Sequence, residues 1–397
     1  MSNKKVFVSG DEAVAMGARL ARPHVVAAYP ITPQTIVVER LSEMVEDGSL
    51  EAEFMHVESE HSAMSAAIGA SSVGARTFTA TSSQGLLYMA EGLHYASGGR
   101  FPVVMMNANR SVALPWSIFG DLRDSLSQLD SGWIQVYVED AQEALDMTLQ
   151  AFRIAEDQNV LTPFMVNLDG FVLTHTYEEI LVPEQQKVDA FLPAFKTPNK
   201  MSMEAPMNMG FSSSPADNME FKFQQHKAMM DAIPVIESTD KAFGDAFGRY
   251  YNGMVDTYLC DDAEVVLVTV GSITGTARVV VDAMRGEGKK VGLLKLRYMR
   301  PFPVEQLQDS VRDKAAVGVL DKDISFGMEG TIYTNINSAM ARGGLSIPTQ
   351  NFIAGMGGRN ISRGDIRYMF DTLLEIAKGG SSRKQVEFVN MGVTIDE

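Results

Sequence analysis

Short apolar runs alternate with amphipathic or small-residue stretches from the N-terminus to about residue 175. This alternation is typical of βαβ units that build a parallel sheet. The apolar runs are nearly continuous, which indicates strands that are buried on both faces. The predicted strands are residues 25–30, 76–81, 102–108, 134–138 and 163–170.

The connecting helices are predicted from small-residue stretches. Residues 60–74 read EHSAMSAAIGASSVG, and a helix so rich in Ala, Ser and Gly should let another backbone approach closely. A second helix of this kind is predicted to follow Gln84-Gly85.

The middle of the chain changes character. Residues 183–215 contain five prolines among scattered Met, Asn and Ser, which indicates a linker or an irregular arm. Residues 217–258 have the pattern of a helix, and the alternation of apolar strands and helices resumes at Ala263. We therefore predict an α/β protein with a first parallel-sheet domain (1–182), a linker and helical arm (183–254) and a second, smaller α/β domain (255–397).

Composition and charge exclude several classes of function. Cys260 is the single cysteine, so the chain has no internal disulfide and no CxxC site for a metal or an iron–sulfur cluster. The formal net charge of −16 argues against binding to nucleic acid or to an anionic membrane. No run approaches the roughly 20 apolar residues of a membrane span, and the N-terminus lacks the pattern of a secretion signal. We expect a cytoplasmic protein.

Common catalytic motifs are also missing. The first strand is not followed by GxGxxG, and neither GxxxxGK[ST] nor GxSxG occurs. There is no HExxH, and His56 and His61 stand five residues apart, a poor spacing for one face of a helix. No metal site is predicted in this chain.

The first candidate for chemistry is the loop Tyr29-Pro30-Ile31-Thr32-Pro33, directly after a predicted buried strand. Open parallel sheets place their ligand crevice at such strand ends. The prolines restrict the backbone, so Thr32 would present a rigidly held hydroxyl donor. The alternative is that Thr32 only caps the helix that follows.

The second candidate is a pair of acidic residues, Glu58 and Glu60, at the start of the Ala/Ser-rich helix. A carboxylate that is desolvated there can acquire a raised pKa and can hold or pass a proton. The alternative is that both acids only favour the helix N-terminus electrostatically.

The third candidate is Arg110, which follows a predicted buried strand. Arginine suits bidentate recognition of a carboxylate, and Trp116, Ile118 and Phe119 could form the wall of an apolar pocket beside it. Arg110 could equally pair with Asp121 or Asp124 as part of the structure. The run from Thr81 to Leu86 (TSSQGL) adds hydroxyls and a glycine near the same end of the sheet.

Together these segments resemble the α subunit of the heteromeric 2-oxoacid:ferredoxin oxidoreductases, in particular the pyruvate synthase branch. The resemblance covers nearly the whole chain. In the first half it rests on AYPITP, ESEHSAMSAAIGAS, FTATSSQGLLYM, SIFGD, DSGWIQVY and NLDGF. In the second half it rests on VTVGSITGT, LLKLRYMRPFP, VLDKDISFGMEG and NFIAGMGGRNIS.

The resemblance implies catalysis with thiamine diphosphate. Residues 1–182 would be its pyrimidine-binding domain, and a β subunit would hold the diphosphate and Mg²⁺, in keeping with the absence of a GDG…N pattern here. The carboxylate that matches Glu60 contacts N1′ of the aminopyrimidine in this family and promotes its imino tautomer, which deprotonates the thiazolium C2. Thr32 and Arg110 match the residues that contact the substrate, and Glu58 is expected only to support Glu60.

The other implied site residues lie in the same loops. The expected cofactor contacts are Glu60, Tyr29, Pro30, Ile31, Ser83 and Gln84. The expected substrate contacts are Thr32, Arg110, Ile118, Phe119 and Leu122. Members of the pyruvate branch usually carry His and a polar residue after the matching Gly-Asp, where this chain has Leu122-Arg123. A larger 2-oxoacid such as phenylglyoxylate therefore stays open beside pyruvate, because Leu122 would enlarge an apolar lining.

The resemblance also implies partners. Iron–sulfur clusters of the [4Fe–4S] type would lie on γ and δ subunits or their equivalents, with ferredoxin or flavodoxin as the electron acceptor, coenzyme A as the acyl acceptor, and a dimer of heteromers as the assembly. Residues 255–397 would resemble a transketolase C-terminal domain with a role mainly in assembly. Two alternatives stay open: a non-catalytic scaffold subunit, and a transketolase-like enzyme that needs no electron acceptor.

Overall fold

The computed structural model describes residues 4–380 and 385–393. The strands of its first part are β1 (Lys4–Ser9), β2 (Val25–Ala28), β3 (Glu53–His56), β4 (Thr77–Thr81), β5 (Val104–Asn109), β6 (Ile134–Tyr137), β7 (Phe164–Asp169) and β8 (Tyr177–Val182). The helices of this part are α1 (Gly10–Ala21), α2 (Thr35–Glu46), α3 (Glu60–Ser72), α4 (Ser83–Tyr88), α5 (Ala90–Gly98), α6 (Arg123–Leu126), α7 (Ala141–Ala155), α8 (Val172–His175), α9 (Gln185–Phe191) and α10 (Asn218–Phe247).

The second part repeats the alternation of strands and helices. Its strands are β9 (Val255–Tyr258), β10 (Val265–Thr269), β11 (Val291–Leu296), β12 (Tyr298–Arg300), β13 (Ala316–Asp321), β14 (Thr349–Ile353) and β15 (Val386–Phe388). Its helices are α11 (Ile273–Gly286), α12 (Val304–Val311), α13 (Thr331–Arg342), a 3₁₀ turn (Met356–Gly358) and α14 (Arg363–Ala377).

The first sheet has the strand order β12-β6-β7-β5-β4-β2-β3. All five predicted strands form in it as β2, β4, β5, β6 and β7, and they pair in parallel with one another. Every residue of β4, β5, β6 and β7 is buried, because helices cover both faces of the sheet. The predicted α/β class is confirmed.

The second sheet has the order β15-β14-β13-β10-β11-β9, with β9 as its antiparallel edge strand. One short strand of this part, β12, leaves it and pairs antiparallel with β6 of the first sheet. The domain limits at residues 182 and 254 stay predictions, and residues 1–3 and 394–397 of the outer domains lie outside the described part of the chain. Within that part, no helix combines the length and hydrophobicity of a membrane span.

Buried ion pairs tie the two parts together. Glu143 of α7 accepts hydrogen bonds from Lys295 Nζ at 2.6 Å and from Arg297 Nε at 2.9 Å. All three side chains are almost fully buried. Burial alone would raise the pKa of Glu143, but the charges of Lys295 and Arg297 lower it to about 2.

Substitution of Glu143 by Gln is expected to lower the free energy of unfolding by about 3 to 5 kcal/mol at neutral pH, because the buried Arg297 loses its carboxylate partner and Lys295 keeps only Glu139. A carboxylate with a depressed pKa stabilises the fold above its ordinary value of 4.5 and loses this effect as the pH falls toward about 2. The difference between the two proteins should therefore shrink in that interval when chemical denaturation is measured by circular dichroism.

The matched control is Glu179→Gln, which removes an exposed ion pair with Lys5. Such pairs contribute at most about 1 kcal/mol, so this variant should stay close to the parent protein. Equal stabilities of the Glu143→Gln variant and the parent at pH 7 would contradict the role given to the buried pairs.

Candidate active site

The loops that follow parallel strands of the first sheet meet at one edge, as expected for the carboxyl ends of such strands. Thr32 follows β2, Glu60 follows β3, Ser83 follows β4 and Arg110 follows β5. Gly170, after β7, closes this edge. A Cβ atom at Gly170 would lie 2.3 Å from the Asn109 carbonyl oxygen, so the two loops pack too closely to admit a side chain at this position. We call the space lined by these loops the crevice.

Glu60 is the first residue of α3 and has 7% of its surface exposed. The helix is capped by the preceding residue, because the Ser59 hydroxyl accepts a hydrogen bond from the Ser62 backbone N–H at 3.2 Å. Among the residues that the structure describes, none donates a hydrogen bond to the Glu60 carboxylate. Helix α3 therefore presents a buried carboxylate whose oxygens are available to a ligand. Buried polar groups are ordinarily paired, so this one calls for a donor from outside the chain.

Gly85 in α4 makes room for that carboxylate. A Cβ atom at this position would lie 2.6 Å from Glu60 Oε1 and 2.6 Å from Thr81 Oγ1. The Thr81 and Ser82 hydroxyls are buried and have no protein partner among the described residues. The Glu60 carboxylate and the Thr81 hydroxyl together form a polar cradle beside this glycine, and a planar polar ring suits such a cradle.

Arg110 reaches across the crevice from β5. Its Nη1 donates to the Thr32 carbonyl oxygen at 2.6 Å and its Nη2 donates to Gln84 Oε1 at 2.7 Å. Its Nε is buried and has no partner in the described part of the chain, and the guanidinium lies 5.6 Å from the Trp116 ring centroid. Burial lowers the pKa of Arg110, while the charges of Asp124 and Glu60 oppose that change. An unpaired N–H on a fixed guanidinium is suited to an incoming carboxylate.

The alternative structural role for Arg110 is not realised. Its side chain pairs with neither Asp121 nor Asp124, and only its backbone N–H donates to Asp124 Oδ2, at 3.1 Å. Asp121 instead pairs with Arg123. The arginine is therefore held by neutral oxygens and keeps its positive charge uncompensated by a directly bonded carboxylate.

The loop from Tyr29 to Thr32 is held by Gln34. The Gln34 amide donates to the carbonyl oxygens of Tyr29 and Ala80, both at 3.0 Å. Helix α2 begins at Thr35 with Gln34 in the N-cap position, so Thr32 does not cap this helix. Thr32 is exposed, and its backbone carbonyl oxygen accepts the hydrogen bond from Arg110. Tyr29 and Ile31 are half-buried in the same loop, and Pro30 is exposed.

Ser83 and Gln84 play different parts. Ser83 is fully buried with a positive φ of 48°, and its hydroxyl donates to the Ser111 carbonyl oxygen at 2.8 Å. Its hydroxyl therefore shapes the crevice wall. Gln84 is half-buried and orients the guanidinium of Arg110.

Asp124 is a site residue that the motifs did not reveal. It accepts five hydrogen bonds, from the backbone N–H groups of Ser83, Arg110 and Ser125 and from the side-chain amides of Asn107 and Asn109. Burial raises the pKa of Asp124 to about 6, although the bonds from Asn109 and the backbone lower it. Asn107 and Asn109 alternate along β5 and so share one face, a spacing that indicates a common acceptor.

The loop before Asp124 carries the apolar residues expected at the substrate. Trp116, Ile118 and Phe119 are all exposed, and the Phe119 ring lies 4.9 Å from that of Phe171. Leu122 differs, because only 1% of it is exposed and it packs in the core of the second part. Leu122 therefore does not line the crevice, and the expected substrate contact at this position is corrected.

Two sequence models match most of the chain. Residues 16–241 match the family described as pyruvate flavodoxin/ferredoxin oxidoreductase, thiamine diphosphate-binding, and residues 263–366 match pyruvate:ferredoxin oxidoreductase core domain II. The chain belongs to the pyruvate:ferredoxin oxidoreductase family.

Full-length relatives agree with this family. The pyruvate synthase subunit PorA of Methanothermobacter thermautotrophicus is 49% identical over 355 residues, 89% of this chain and 91% of the relative. PorA of Methanosarcina barkeri is 46% identical over 95% of this chain and 94% of its own. The ketoisovalerate oxidoreductase subunit VorA of Pyrococcus horikoshii is 43% identical over 98% of both chains.

Solved structures share the fold. A 2-oxoglutarate:ferredoxin oxidoreductase from Magnetococcus marinus, with 2-oxoglutarate, coenzyme A and succinyl-CoA bound, is similar with a TM-score of 0.71 at 20% identity. The match covers 93% of this chain and 65% of that longer chain. A split-gene transketolase in an inactive β4 tetramer is similar with a TM-score of 0.55 at 12% identity, over 93% of this chain and 99% of its own.

These findings confirm the predicted resemblance, the α/β fold with a transketolase-like architecture, and the enzyme class, a 2-oxoacid:ferredoxin oxidoreductase that binds thiamine diphosphate. The subunit names of the PorA and VorA relatives indicate a heteromeric complex. In the described part of the chain, no group of three His, Cys, Asp or Glu side chains is arranged to hold a metal ion.

Proposed function

We propose that this chain is the α subunit of a coenzyme A-dependent 2-oxoacid:ferredoxin oxidoreductase, with pyruvate as its first candidate substrate. It would hold the aminopyrimidine half of thiamine diphosphate. The observation that carries this proposal is Glu60, a buried carboxylate that receives no hydrogen bond from the described residues and faces Gly85 across a gap that admits no side chain.

The bound cofactor would supply a carbon nucleophile for the 2-oxo carbon of the substrate. Glu60 would accept a hydrogen bond from N1′ of the pyrimidine and would hold the negative charge that favours the reactive tautomer of that ring. Only 7% of Glu60 is exposed and its carboxylate lies beside Gly85 of α4, so a bound ring would displace the remaining water from this contact. Low local polarity strengthens the effect of the charge.

Arg110 and Thr32 would bind the substrate. The unpaired Nε–H and the remaining Nη hydrogens of Arg110 are suited to the carboxylate of a 2-oxoacid. The Thr32 hydroxyl, which has no protein partner among the described residues, could donate to the 2-oxo oxygen where negative charge develops. Arg110 also donates to the Thr32 carbonyl oxygen, so the two groups are held beside each other.

Other parts of the reaction would need partner subunits. Cys260 is the single cysteine, so the electrons must leave through clusters on other chains, for which γ and δ subunits and a ferredoxin or flavodoxin are proposed. A β subunit would bind the diphosphate and Mg²⁺, and a dimer of such heteromers in the cytoplasm is the proposed assembly.

The relatives and the burial of Leu122 bear on which 2-oxoacid the enzyme uses. Relatives named for pyruvate and for ketoisovalerate are similar to this chain at 49% and 43% identity. The burial of Leu122 removes the argument for an enlarged apolar lining, which weakens the case for an aromatic acid such as phenylglyoxylate. Trp116, Ile118 and Phe119 are then the residues that would set the size of the side chain accepted.

The assembled complex should reduce viologen with a 2-oxoacid and coenzyme A. A panel of pyruvate, 2-oxoisovalerate, 2-oxoglutarate and phenylglyoxylate, compared by kcat/KM, identifies the substrate. We expect the highest value for pyruvate. Inactivity with every acid would support the scaffold alternative, and product formation without an electron acceptor would support a transketolase-like reaction.

Substitution of Gly85 by Ala should lower kcat/KM on the order of 10²-fold, because the new Cβ must displace the Glu60 carboxylate or the Thr81 hydroxyl. Affinity for thiamine diphosphate, measured by calorimetry on the assembled complex, should fall as well. Gly69→Ala on α3 is the matched control, since its Cβ would meet no atom within 4 Å. Unchanged cofactor affinity in the Gly85→Ala complex would argue against the cradle.

A further inference from the structure

A second cavity lies away from the crevice. It has a volume of about 270 Å³ and lies between α10, α13 and the loop that follows β12. Strand β12 is one edge of the first sheet, whereas Glu60 follows β3 at the opposite edge. None of the crevice residues lines this cavity. It is therefore a separate site, large enough for a small metabolite.

The cavity is built from regular helix faces. On α13 the lining residues include Asn335, Ala339 and Arg342, which are spaced four and three apart and therefore share one face. On α10 it is lined by His226 and Met229, three residues apart. Lining residues that project from two regular helices hold their positions without a ligand, which favours a preformed pocket.

Arg300 is the polar centre of this pocket. Its Nη1 donates to the Met299 carbonyl oxygen at 2.6 Å and to Asn335 Oδ1 at 3.1 Å. Both acceptors are neutral. Among the described residues, no carboxylate lies within ion-pair distance of the guanidinium, and its Nε and Nη2 have no acceptor. Burial lowers the pKa of Arg300, although Tyr137 and Asp130 act in the opposite direction.

The rim carries further donors and no acid. Arg342, at the end of α13, is exposed and makes no hydrogen bond or ion pair with the described residues, and His226 faces the same space. No Asp or Glu is among the described residues that line the cavity, although the chain has a net charge of −16. Two arginines without an ion-pair partner among the described residues, in so acidic a protein, favour an anionic ligand.

The remaining walls are apolar. Met229, Pro301 and Phe302 line the cavity beside the arginines. We propose that this pocket binds a small organic anion, with its carboxylate or phosphate on Arg300 and Arg342 and its apolar body against Met229 and Phe302. A larger cavity of about 860 Å³ lacks this character, because its lining mixes arginines with the acids Glu51 and Glu53.

Phenyl phosphate and benzoate are suitable probes, because each joins an anionic head to an apolar ring. Isothermal titration calorimetry on the assembled complex, with its cofactor site saturated by thiamine diphosphate and Mg²⁺, should show saturable binding of at least one of them. Arg300→Gln and Arg342→Gln should each raise the Kd tenfold or more. The two probes separate a phosphate ligand from a carboxylate ligand.

Arg312→Gln is the matched control, since Arg312 is an exposed arginine paired with Asp309 outside the pocket. It should leave the Kd unchanged. Arg342 makes no bond within the described fold, so Arg342→Gln tests the site even if Arg300→Gln does not assemble. Three results would each overturn the proposal: no saturable binding of either probe, equal affinity in the Arg342→Gln complex, or equally tight binding of the uncharged benzyl alcohol.

Discussion

Replacement of Glu60 by Gln is expected to lower the kcat of the assembled complex by about 10²- to 10⁴-fold, the usual contribution of a positioned acid–base group. Glutamine keeps the size of the side chain, so α3 and Gly85 need not move. It loses the negative charge that the proposed role requires. The rate of hydrogen–deuterium exchange at C2 of the bound cofactor, followed by NMR after acid quench, should fall in parallel with kcat.

The neighbouring variant Glu58→Gln is the control. Glu58 is exposed, and its carboxylate accepts a hydrogen bond from the Ser62 hydroxyl on the surface of α3. Its loss should change kcat by less than about threefold, as expected for a surface substitution worth under 0.5 kcal/mol. A Glu60→Gln complex that assembles and turns over at the parent rate would rule out the proton-holding role.

Replacement of Arg110 by Ala should weaken binding of the 2-oxoacid by about 2 to 5 kcal/mol, the typical cost of truncating one partner of a desolvated charge-assisted contact. Most of this loss of binding free energy is expected to appear as a higher apparent KM. Some loss of kcat should accompany it, because Arg110 also fixes the Thr32 carbonyl and the Gln84 amide. Steady-state kinetics with the preferred oxoacid measures both effects.

Two further variants distinguish these contributions. Arg110→Lys keeps the positive charge but loses the planar set of guanidinium N–H donors. Its KM should therefore lie between those of the parent and the alanine variant. Arg40→Ala removes an exposed arginine that pairs with Glu12 and Glu43, and it should leave KM unchanged. A parent-like KM for Arg110→Ala would remove Arg110 from the carboxylate site.

Some site residues could be found from the sequence and others could not. Thr32 and Arg110 follow the buried strands β2 and β5, and Glu60 follows the largely exposed edge strand β3. Parallel strands deliver all three positions to one edge of the sheet. From the sequence, Asp124 was considered only as a possible partner of the Arg110 side chain, because its role depends on five donors that come from three separate segments. Leu122 was misplaced because an apolar residue beside a site loop can face either the crevice or the core.

The strands also differ in how well the sequence predicts them. The buried strands of the first sheet are visible as continuous apolar runs, whereas β1 and β3 carry exposed charges and look like surface loops. Strand β12 reads as part of the second domain and yet pairs with β6. Pairing between segments so far apart in the chain leaves no local pattern.

By itself the sequence determined the α/β class, the family and the strand ends where chemistry would lie, because periodicity and motif order are local properties of the chain. Only the tertiary structure decided that, among the described residues, the Glu60 carboxylate is buried without a donor and Arg110 keeps an unpaired Nε, and that Leu122 belongs to a core. These outcomes depend on which atoms from distant segments come to lie around each side chain. Packing and hydrogen-bond geometry in three dimensions decide this.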